Sequence, residues 1–231
     1  MARKEQNVDV SLVLPVCNEE DCIESVLHEA ESVLRRLRRS FEILAVDDGS
    51  ADRTPSILSD LASQLSSLRV IRLTPNAGQS AAMGAGFRHA RGQVVVIMDA
   101  DGQNDPADIP RLLDELKNAD VCCGYRARRQ DTLSKRWGSR LANWVRNLAL
   151  KEDIRDTGCS LKAFKAGFLQ DLPMTLKGMH RFLPALARMR GATICEIPVN
   201  HRPRKAGHTK YTNLGRLKET VWDLCAVRWM Q

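Results

Sequence analysis

The sequence predicts an α/β fold with a mostly parallel sheet and helices on both faces. Within about the first 120 residues, four apolar, strand-like segments alternate with helical segments, as in parallel-sheet proteins. The helical segments repeat apolar residues every three or four positions, which indicates one buried face on each helix. The fourth strand-like segment contains an unbroken apolar run, Val94–Met98, as expected for a strand buried on both faces.

The predicted elements of the first half follow from these patterns. The strands are Val8–Leu14, Phe41–Val46, Leu68–Leu73 and the segment that begins at Gln93. Helices are predicted after Glu19, from Thr54, after Gly78 and around Ile109–Leu116. The helix after Gly78 is rich in alanine and glycine, which suits close packing against a sheet.

The second half is less regular but is assigned to the same single domain, residues 1–231. Strands are predicted at Val121–Gly124, near Ser160–Phe164 and near Thr193–Val199, with a helix around Arg181–Arg190. An amphipathic helix is predicted over residues 213–230. The chain is therefore divided into a regular half, residues 8–124, and an irregular half, residues 125–215.

Composition is that of a soluble globular protein. The chain has 231 residues, of which 43% are hydrophobic and 27% charged. No apolar run is long enough to span a bilayer, and the N-terminus has no apolar signal region. The seven cysteines are an odd number without CxxC pairs, so they are expected to be reduced thiols in a cytosolic chain.

Positive charge is concentrated in two segments of the second half. Tyr125–Lys151 has eight Lys/Arg and one acidic residue, and Asn200–Lys218 has six Lys/Arg and none. Since the net charge of the whole chain is +7, the remainder is acidic. Two basic segments on an acidic body indicate an anionic partner: nucleic acid, a phosphate-bearing substrate or an anionic membrane.

Three of the predicted strands end in acidic or polar residues. The first is followed by Pro15–Glu19, the second by Asp47–Ser50 and the fourth by Asp99–Gln103. Because the carboxyl ends of parallel strands meet at one edge of a sheet, these side chains are expected to converge on one crevice. The oxygen ligands of the third group suit Mg²⁺ or Mn²⁺. The alternative is that all three are ordinary turns and helix caps.

Motifs of several other enzyme classes are absent from the sequence. It contains no GxxxxGK[ST] motif and no GxGxxG at its first helix. It also lacks His/Cys clusters with zinc spacing and a GxSxG nucleophile motif. These absences argue against a P-loop enzyme, a classical dinucleotide-binding enzyme, a zinc site and a serine hydrolase.

An ordered set of motifs resembles a known family. The segments PVCNEE, AVDDGSADRT, TPNAGQSAAMGAGFRHARG and MDADGQNDP are similar to those of family 2 glycosyltransferases with the GT-A fold. The later segments GYRARR, DTGCSLKAFK and HRPRKAGHTKY narrow the resemblance to the polyprenyl-phosphate, dolichol-phosphate mannose synthase-like group. The resemblance covers about residues 8–215. It implies a Rossmann-like GT-A domain whose first half binds a nucleotide sugar and whose second half binds the acceptor.

The resemblance implies a DxD metal site and a nucleotide pocket. Asp99, Asp101 and Gln103 would hold Mg²⁺ or Mn²⁺ against the donor diphosphate, with Asp101 in a catalytic position. The family usually has an aromatic residue where this chain has Cys17, so packing against the base is expected to differ. The expected nucleotide-sugar-binding residues are Pro15, Cys17, Glu19, Val46, Asp48, Asp99 and Ala100.

The acceptor implied by the resemblance is a polyprenyl or dolichyl phosphate. Its phosphate oxygen is already anionic near neutral pH, so it needs positioning rather than a general base. The expected contacts of this phosphate are Arg126, Arg140, Arg204 and Lys210, with Arg126, Arg204 and Lys210 also assigned as catalytic. In-line displacement would invert the anomeric carbon, and the sugar is expected to be a hexose such as mannose or glucose.

Two helical segments predict contact with a membrane. Lys135–Leu150 carries Trp137 and Trp144 on an apolar stripe flanked by arginines, which is typical of an interfacial helix. The alternative is a core-facing helix with a basic exposed side. The last helix could likewise dock on a membrane or a partner. The chain is therefore expected to be cytoplasmic and peripheral on the cytoplasmic face of a membrane. Either a membrane-embedded partner subunit or further membrane helices of a longer chain would then complete it.

Two other functions compete with lipid-phosphate glycosylation. A GT-A enzyme could instead transfer the sugar to a carbohydrate hydroxyl, but that reaction requires a general base and the second half has no strong candidate motif. A basic nucleic-acid-binding protein is disfavoured because the basic segments lack interleaved aromatic residues. No nucleic-acid partner is expected.

Overall fold

A seven-stranded sheet forms the centre of the molecule and confirms the predicted α/β class. The computed structural model describes residues 8–127, 146–147, 149–150, 152–174, 176–203 and 213–230, with side chains of the last helix from 222 onward. The sheet has the order β3-β2-β1-β4-β6-β5-β7. Its strands are β1 (Val8–Val16), β2 (Phe41–Asp48), β3 (Leu68–Leu73), β4 (Gly92–Ile97), β5 (Val121–Arg126), β6 (Lys162–Lys165) and β7 (Ile194–Val199).

All strand pairs are parallel except those of β6. This short strand is antiparallel to both β4 and β5. Because β6 runs opposite to both of its neighbours, β4 and β5 run in the same direction. As a result, the carboxyl ends of β1, β2, β4 and β5 lie at one edge.

A change of direction in the chain opens a crevice at this edge. β1 lies between β2 and β4, and the chain reaches these two neighbours by crossovers that leave in opposite directions. Such a switch point is where open α/β sheets bind ligands. In the register, Pro15 of β1 lies beside Val46 of β2, and Val13 lies beside Ile97 of β4. The three predicted polar turns therefore start at nearly the same level.

Helices cover both faces of the sheet, as predicted. One apolar layer contains Leu27, Leu58 and Leu112, and the opposite layer contains Met83 and Leu186. The helices are α1 (Ile23–Arg36), α2 (Thr54–Gln64), α3 (Gln79–His89), α4 (Ile109–Glu115), α5 (Leu183–Met189) and α6 (Asn213–Met230). The glycines of α3 permit the close approach inferred from its composition, because a Cβ at Gly86 would collide with Val13 of β1.

Some predicted boundaries were too short. β1 continues through Pro15 to Val16, and β2 continues to Asp48. The polar residues were interpreted as the end of each strand, but the Pro15–Val46 and Val16–Asp47 pairs still belong to the sheet. Asp47 and Asp48 thus project from strand positions, which fixes their direction more firmly than a loop would.

The cysteines of the chain form no disulfide bonds with one another. All seven cysteines are free thiols, and four of them are buried. Burial raises the pKa of the Cys123 thiol to about 12, so this thiol is an inert packing group. Among the helices that the structure describes, none has the length and apolar character needed to cross a membrane.

Candidate active site

The crevice collects most of the predicted site residues from four strand ends. Pro15 is the second-last residue of β1, Cys17 and Glu19 follow this strand, and Val46 and Asp48 lie at the end of β2. Asp99, Ala100, Asp101 and Gln103 follow β4, and Arg126 is the last residue of β5. The remaining predicted residues, Arg140, Arg204 and Lys210, lie outside the described residues.

The turn after β4 presents its carboxylates at the crevice. Gly102 has a φ of 74°, a left-handed conformation that favours glycine. The Asp101 Oδ1 atom accepts a hydrogen bond from the Gln103 main-chain N–H at 3.1 Å, which closes the turn. Asp99, Asp101 and Gln103 are each partly exposed. None of the three residues is therefore sealed within the core.

Asp99 is held by groups that the sequence did not reveal. Its Oδ1 atom accepts a hydrogen bond from Gln79 Nε2 at 2.9 Å. Its main-chain N–H donates to Asn104 Oδ1 at 3.1 Å, and the Ser160 hydroxyl donates to the same Asn104 oxygen at 2.8 Å. Gln79 is the first residue of α3, which begins at the same sheet edge. This position is the one feature of the sequence from which its contact with Asp99 could have been inferred.

The electrostatic environment of Asp99 is that of a carboxylate without sufficient compensating charge. Burial, together with the nearby Asp101 carboxylate, raises the pKa of Asp99 to about 6. Lys162 and Arg126 lower this pKa but do not cancel the increase. Two carboxylates held together in this way would be stabilised by a cation.

The donor set at this turn fits a divalent metal that shares its ligands with a phosphate. In the part of the chain that the structure describes, no group of three or more His, Cys, Asp or Glu residues could hold a metal alone. Asp99, Asp101 and the Gln103 amide instead offer two carboxylates and one amide oxygen. Mg²⁺ and similar hard cations are commonly held by one or two carboxylates together with substrate phosphates. These residues therefore fit the predicted metal.

Asp48 fixes the loop between β3 and α3. Its two carboxylate oxygens accept hydrogen bonds from the main-chain N–H groups of Ala77 and Gly78, at 2.7 and 2.8 Å. The Asn76 amide donates to Asp48 Oδ2 at 3.0 Å and lies 3.5 Å from Cys17 Sγ. Asp48 is buried, and its hydrogen bonds hold the loop between β3 and α3 in place as a wall beside Cys17.

The other predicted nucleotide contacts differ in accessibility. Pro15, Cys17 and Glu19 are partly exposed, and the Glu19 main-chain N–H donates to Thr54 Oγ1 at 2.9 Å. Val46, by contrast, has no exposed surface and packs in the core layer beneath α3. Its side chain lies beneath the sheet edge, and its assignment as a nucleotide contact stays a prediction.

Arg126 forms a paired contact with Asp156 at the end of β5. Its Nε and Nη2 atoms donate to the two carboxylate oxygens of Asp156, at 2.7 and 2.8 Å. A Cβ at Gly158 would lie 2.9 Å from Arg126 Nη2, so glycine leaves room for the guanidinium. Asp156 is buried, and the pair orients Arg126 at the same edge as Asp99.

Arg202 ties the β4 turn to the segment after β7. Its main-chain N–H donates to the Gln103 carbonyl at 2.8 Å. Its guanidinium forms ion pairs with Glu29 of α1 and Asp105, each with a shortest distance of 2.7 Å. This contact holds Arg202, near the end of the described segment that follows β7, close to Gln103.

The described end of the predicted membrane-binding segment lies in the interior. Arg146 is buried and lies 3.4 Å from the Glu152 carboxylate, and Leu150 belongs to a core layer. Arg146 is one of the arginines of Lys135–Leu150 that are predicted to flank the interfacial stripe. That expectation is wrong for this residue, because its charge is used inside the protein. Trp137, Arg140 and Trp144 lie outside the described residues.

Comparisons with known proteins identify the family of this chain. Residues 11–172 match the sequence profile of Glycosyl transferase family 2. The chain is 38% identical over 217 residues to the undecaprenyl-phosphate 4-deoxy-4-formamido-L-arabinose transferase of Pseudomonas fluorescens (strain Pf0-1). This match covers 93% of the chain but 63% of that relative, so the chain spans less than two thirds of its length.

Solved structures share the fold at lower identity. Glucosyl-3-phosphoglycerate synthase from Mycobacterium tuberculosis, in complex with Mn²⁺, UDP and phosphoglyceric acid, superposes with a TM-score of 0.70 and 21% identity, covering 96% of this chain and 78% of that one. The mannosyltransferase PcManGT from Pyrobaculum calidifontis, in complex with GDP-Man and Mn²⁺, superposes with a TM-score of 0.61 and 22% sequence identity. This match covers 84% of this chain and 55% of that one. The fold is therefore GT-A-like, and with the profile covering most of its length, the chain belongs to glycosyl transferase family 2.

Proposed function

We propose that this chain transfers a sugar from a nucleotide diphosphate sugar to a polyprenyl phosphate, with inversion at the anomeric carbon. The observation that carries the proposal is the placement of an acidic turn, Asp99–Gln103, at the same sheet edge as the oriented Arg126. An acidic turn suits a metal-bound diphosphate, and an arginine suits a second phosphate. The relative from Pseudomonas fluorescens, named for transfer to undecaprenyl phosphate, supports this acceptor class.

On the donor side, Asp99, Asp101 and Gln103 would hold Mg²⁺ or Mn²⁺. When bound, the metal would neutralise charge on the departing nucleoside diphosphate. The Mn²⁺ complexes of the two GT-A-like structures support a divalent ion. Gln79 and Asn104 keep the Asp99 main chain and carboxylate in place, so little reorganisation is needed when the donor arrives.

The nucleotide would lie between the ends of β1 and β2. Pro15, Cys17, Glu19 and Asp48 would line its pocket, and Ala100 would contact the donor beside Asp99. One of the solved structures holds UDP and the other GDP-Man, so the same fold accepts two bases. Cys17 beside Asn76 makes a smaller wall than an aromatic residue would, and it would contribute to the choice of base.

On the acceptor side, Arg126 would contact the lipid phosphate, joined by Arg140, Arg204 and Lys210. Since the attacking oxygen is already anionic, these residues would position it in line and screen it from the donor diphosphate. Asp156 would hold the Arg126 guanidinium in one orientation. With the attacking oxygen already anionic and positioned in this way, the reaction would need no general base.

The sugar is proposed to be a hexose such as mannose or glucose, with the 4-deoxy-4-formamido-L-arabinose of the relative as the competing donor. The enzyme would act as a peripheral protein on the cytoplasmic face of a membrane, where the lipid acceptor is reached. A membrane-embedded subunit or additional membrane helices would hold it there.

One assay tests the proposal. Purified protein is incubated with detergent-dispersed undecaprenyl phosphate and radiolabelled UDP-glucose, GDP-mannose or the nucleotide-linked formamido-arabinose, with and without Mn²⁺. Organic-phase label that requires the metal is expected for one donor. Label found only in water-soluble glycan would contradict the proposal and favour the hydroxyl-acceptor alternative. The wild-type chain with donor alone serves as the blank.

A further inference from the structure

Helix α6 carries two highly exposed tryptophans. Trp222 is 71% exposed and Trp229 is 88% exposed. Tryptophan is normally largely buried, because its ring contributes a large apolar area. The two residues are seven positions apart, which is almost two helical turns, so they lie on the same side of the helix. We call Trp222 and Trp229 the tryptophan face.

The opposite side of α6 is attached to the domain. Val227 has no exposed surface and belongs to the core layer that also contains Met179 and Phe182. Asp223 is buried against Gly178, where a Cβ would collide with the carboxylate. Because these contacts fix the rotation of the helix about its axis, the tryptophan face is directed away from the domain.

The attachment point is close to the crevice. Gly178 lies two residues before His180, whose main-chain N–H and Nδ1 atom lie 3.2 and 2.9 Å from Ser80 Oγ. Ser80 is adjacent to Gln79, which contacts Asp99. A short chain of contacts therefore links α6 to the end of α3 that borders the candidate site.

From this arrangement we propose that the tryptophan face inserts into the interface of an anionic lipid bilayer. The proposal rests on the proposed function, since a lipid phosphate acceptor brings the crevice to a bilayer surface. Tryptophan is enriched at the level of the lipid headgroups, where its ring is partly buried and its N–H remains hydrated. The sequence from residue 200 to residue 218, which leads into and begins this helix, has six Lys/Arg and no acidic residue. That charge complements an anionic bilayer surface.

Charge and apolar area have different expected contributions. Basic residues attract the protein to anionic lipid over a distance of about one Debye length, roughly 8 Å at physiological ionic strength. The tryptophan rings act only on contact, by removing apolar area from water. Binding should therefore require anionic lipid for capture and the rings for retention.

The first test is co-sedimentation with vesicles of phosphatidylcholine, alone or mixed with phosphatidylglycerol. The wild-type chain is expected to bind the mixed vesicles. The Trp222→Ser/Trp229→Ser variant should partition less by on the order of tenfold or more, given the apolar area of two indole rings. Val70→Ser is the matched control, because Val70 is 38% exposed on the edge strand β3, and it should bind like wild type.

A second measurement locates the rings in the bilayer. The chain has four tryptophans, and Trp137→Phe/Trp144→Phe leaves only the tryptophan face to fluoresce. Brominated lipids in the mixed vesicles are expected to quench this emission, and the emission maximum should shift to the blue. Absence of quenching with bound protein would overturn the proposal, because another surface would then hold the membrane.

A third measurement separates this inference from the proposed function. The Trp222→Ser/Trp229→Ser variant should retain transfer to a short-chain, water-soluble prenyl phosphate and lose transfer to vesicle-embedded acceptor. If wild type glycosylated no prenyl phosphate but still bound vesicles through the tryptophans, the proposed function alone would fail. If the double variant bound vesicles like wild type, the inference would be overturned. A wild-type dimer that the double variant abolishes would likewise overturn it, because the face would join two copies.

Discussion

The Arg126 guanidinium donates two hydrogen bonds to the Asp156 carboxylate, with donor–acceptor distances of 2.7 and 2.8 Å. Both side chains are largely buried, at 15% and 8% exposure. A bidentate pair fixes the plane of the guanidinium as well as its position. Asp156 therefore holds the Arg126 guanidinium in one orientation at the end of β5.

Asp156→Asn should release this orientation. Removing one partner of a buried ion pair leaves the other charge uncompensated and costs about 3 kcal/mol in the free energy of unfolding. The KM for the lipid phosphate should rise well above that of wild type, while the KM for the donor changes little. Denaturant unfolding and steady-state kinetics measure the two effects. Asp153→Asn, at an exposed acid three residues earlier, is the control and should change neither quantity.

Asp101→Ala should abolish transfer and leave the fold intact. The Asp101 side chain is partly exposed, and its one hydrogen bond given by the structure closes a turn. Its loss should therefore change the free energy of unfolding by about 1 kcal/mol or less. Activity and Mn²⁺ binding, the latter followed by calorimetry in the presence of UDP or GDP, provide separate measurements. Asp114→Ala, at an exposed acid of α4, should behave as wild type; substantial activity in Asp101→Ala would contradict the metal assignment.

Asp99→Asn should stabilise the protein near neutral pH. The folded-state pKa of Asp99 is raised to about 6 from the ordinary 3.8 by burial and by Asp101. Its contribution to stability is therefore fully present below pH ~4 and is lost as the pH rises through about 6. Asparagine retains an acceptor for Gln79 without the charge. The melting temperature of the variant should match that of wild type near pH ~4 and exceed it at about pH 7 to 8. The corresponding gain in the free energy of unfolding is up to about 3 kcal/mol.

The opposite pH dependence is expected for Asp105→Asn, which serves as the comparison. Burial alone would raise the pKa of Asp105, but hydrogen bonds from Asn200 and the Ala107 main chain, together with Arg202, lower it. Its stabilising contribution is therefore present above the unfolded-state pKa and is lost as the pH falls through the lower folded-state pKa. The variant should lose stability at neutral pH and approach wild type in acid. Parallel pH profiles for the two variants would contradict both assignments.

Asn104→Ala should disturb the candidate site from beneath. One buried oxygen of Asn104 accepts from both the Asp99 main chain and the Ser160 hydroxyl. Alanine would leave two donors without this acceptor, at about 1 to 3 kcal/mol for each donor that becomes buried and unsatisfied. Thermal unfolding and the Mn²⁺ dependence of transfer should both shift. Asn118→Ala, at an exposed asparagine after α4, is the control and should leave both unchanged.

Much of the crevice follows from local sequence. Runs such as Val94–Met98 fix strands because a two-sided buried strand has no polar positions, and Asp99–Gln103 must then follow at the strand end. The order of strands and helices was predictable for the same reason. By contrast, β6 pairs antiparallel with both β4 and β5, and no local pattern of four residues encodes such a partner.

The sequence by itself determined the α/β alternation, the acidic turn after the fourth strand and the resemblance to a glycosyltransferase family. The tertiary structure alone decided that Asp48 shapes the wall beside Cys17, that Val46 lies beneath the crevice and that Asp156 orients Arg126. The physical reason is the distance along the sequence between the residues that interact. Periodicity records which face of each element is apolar, whereas hydrogen bonds such as Asp48 to Ala77 or Arg126 to Asp156 join residues about thirty positions apart. Those partners are chosen only when the sheet brings its strand ends to one edge.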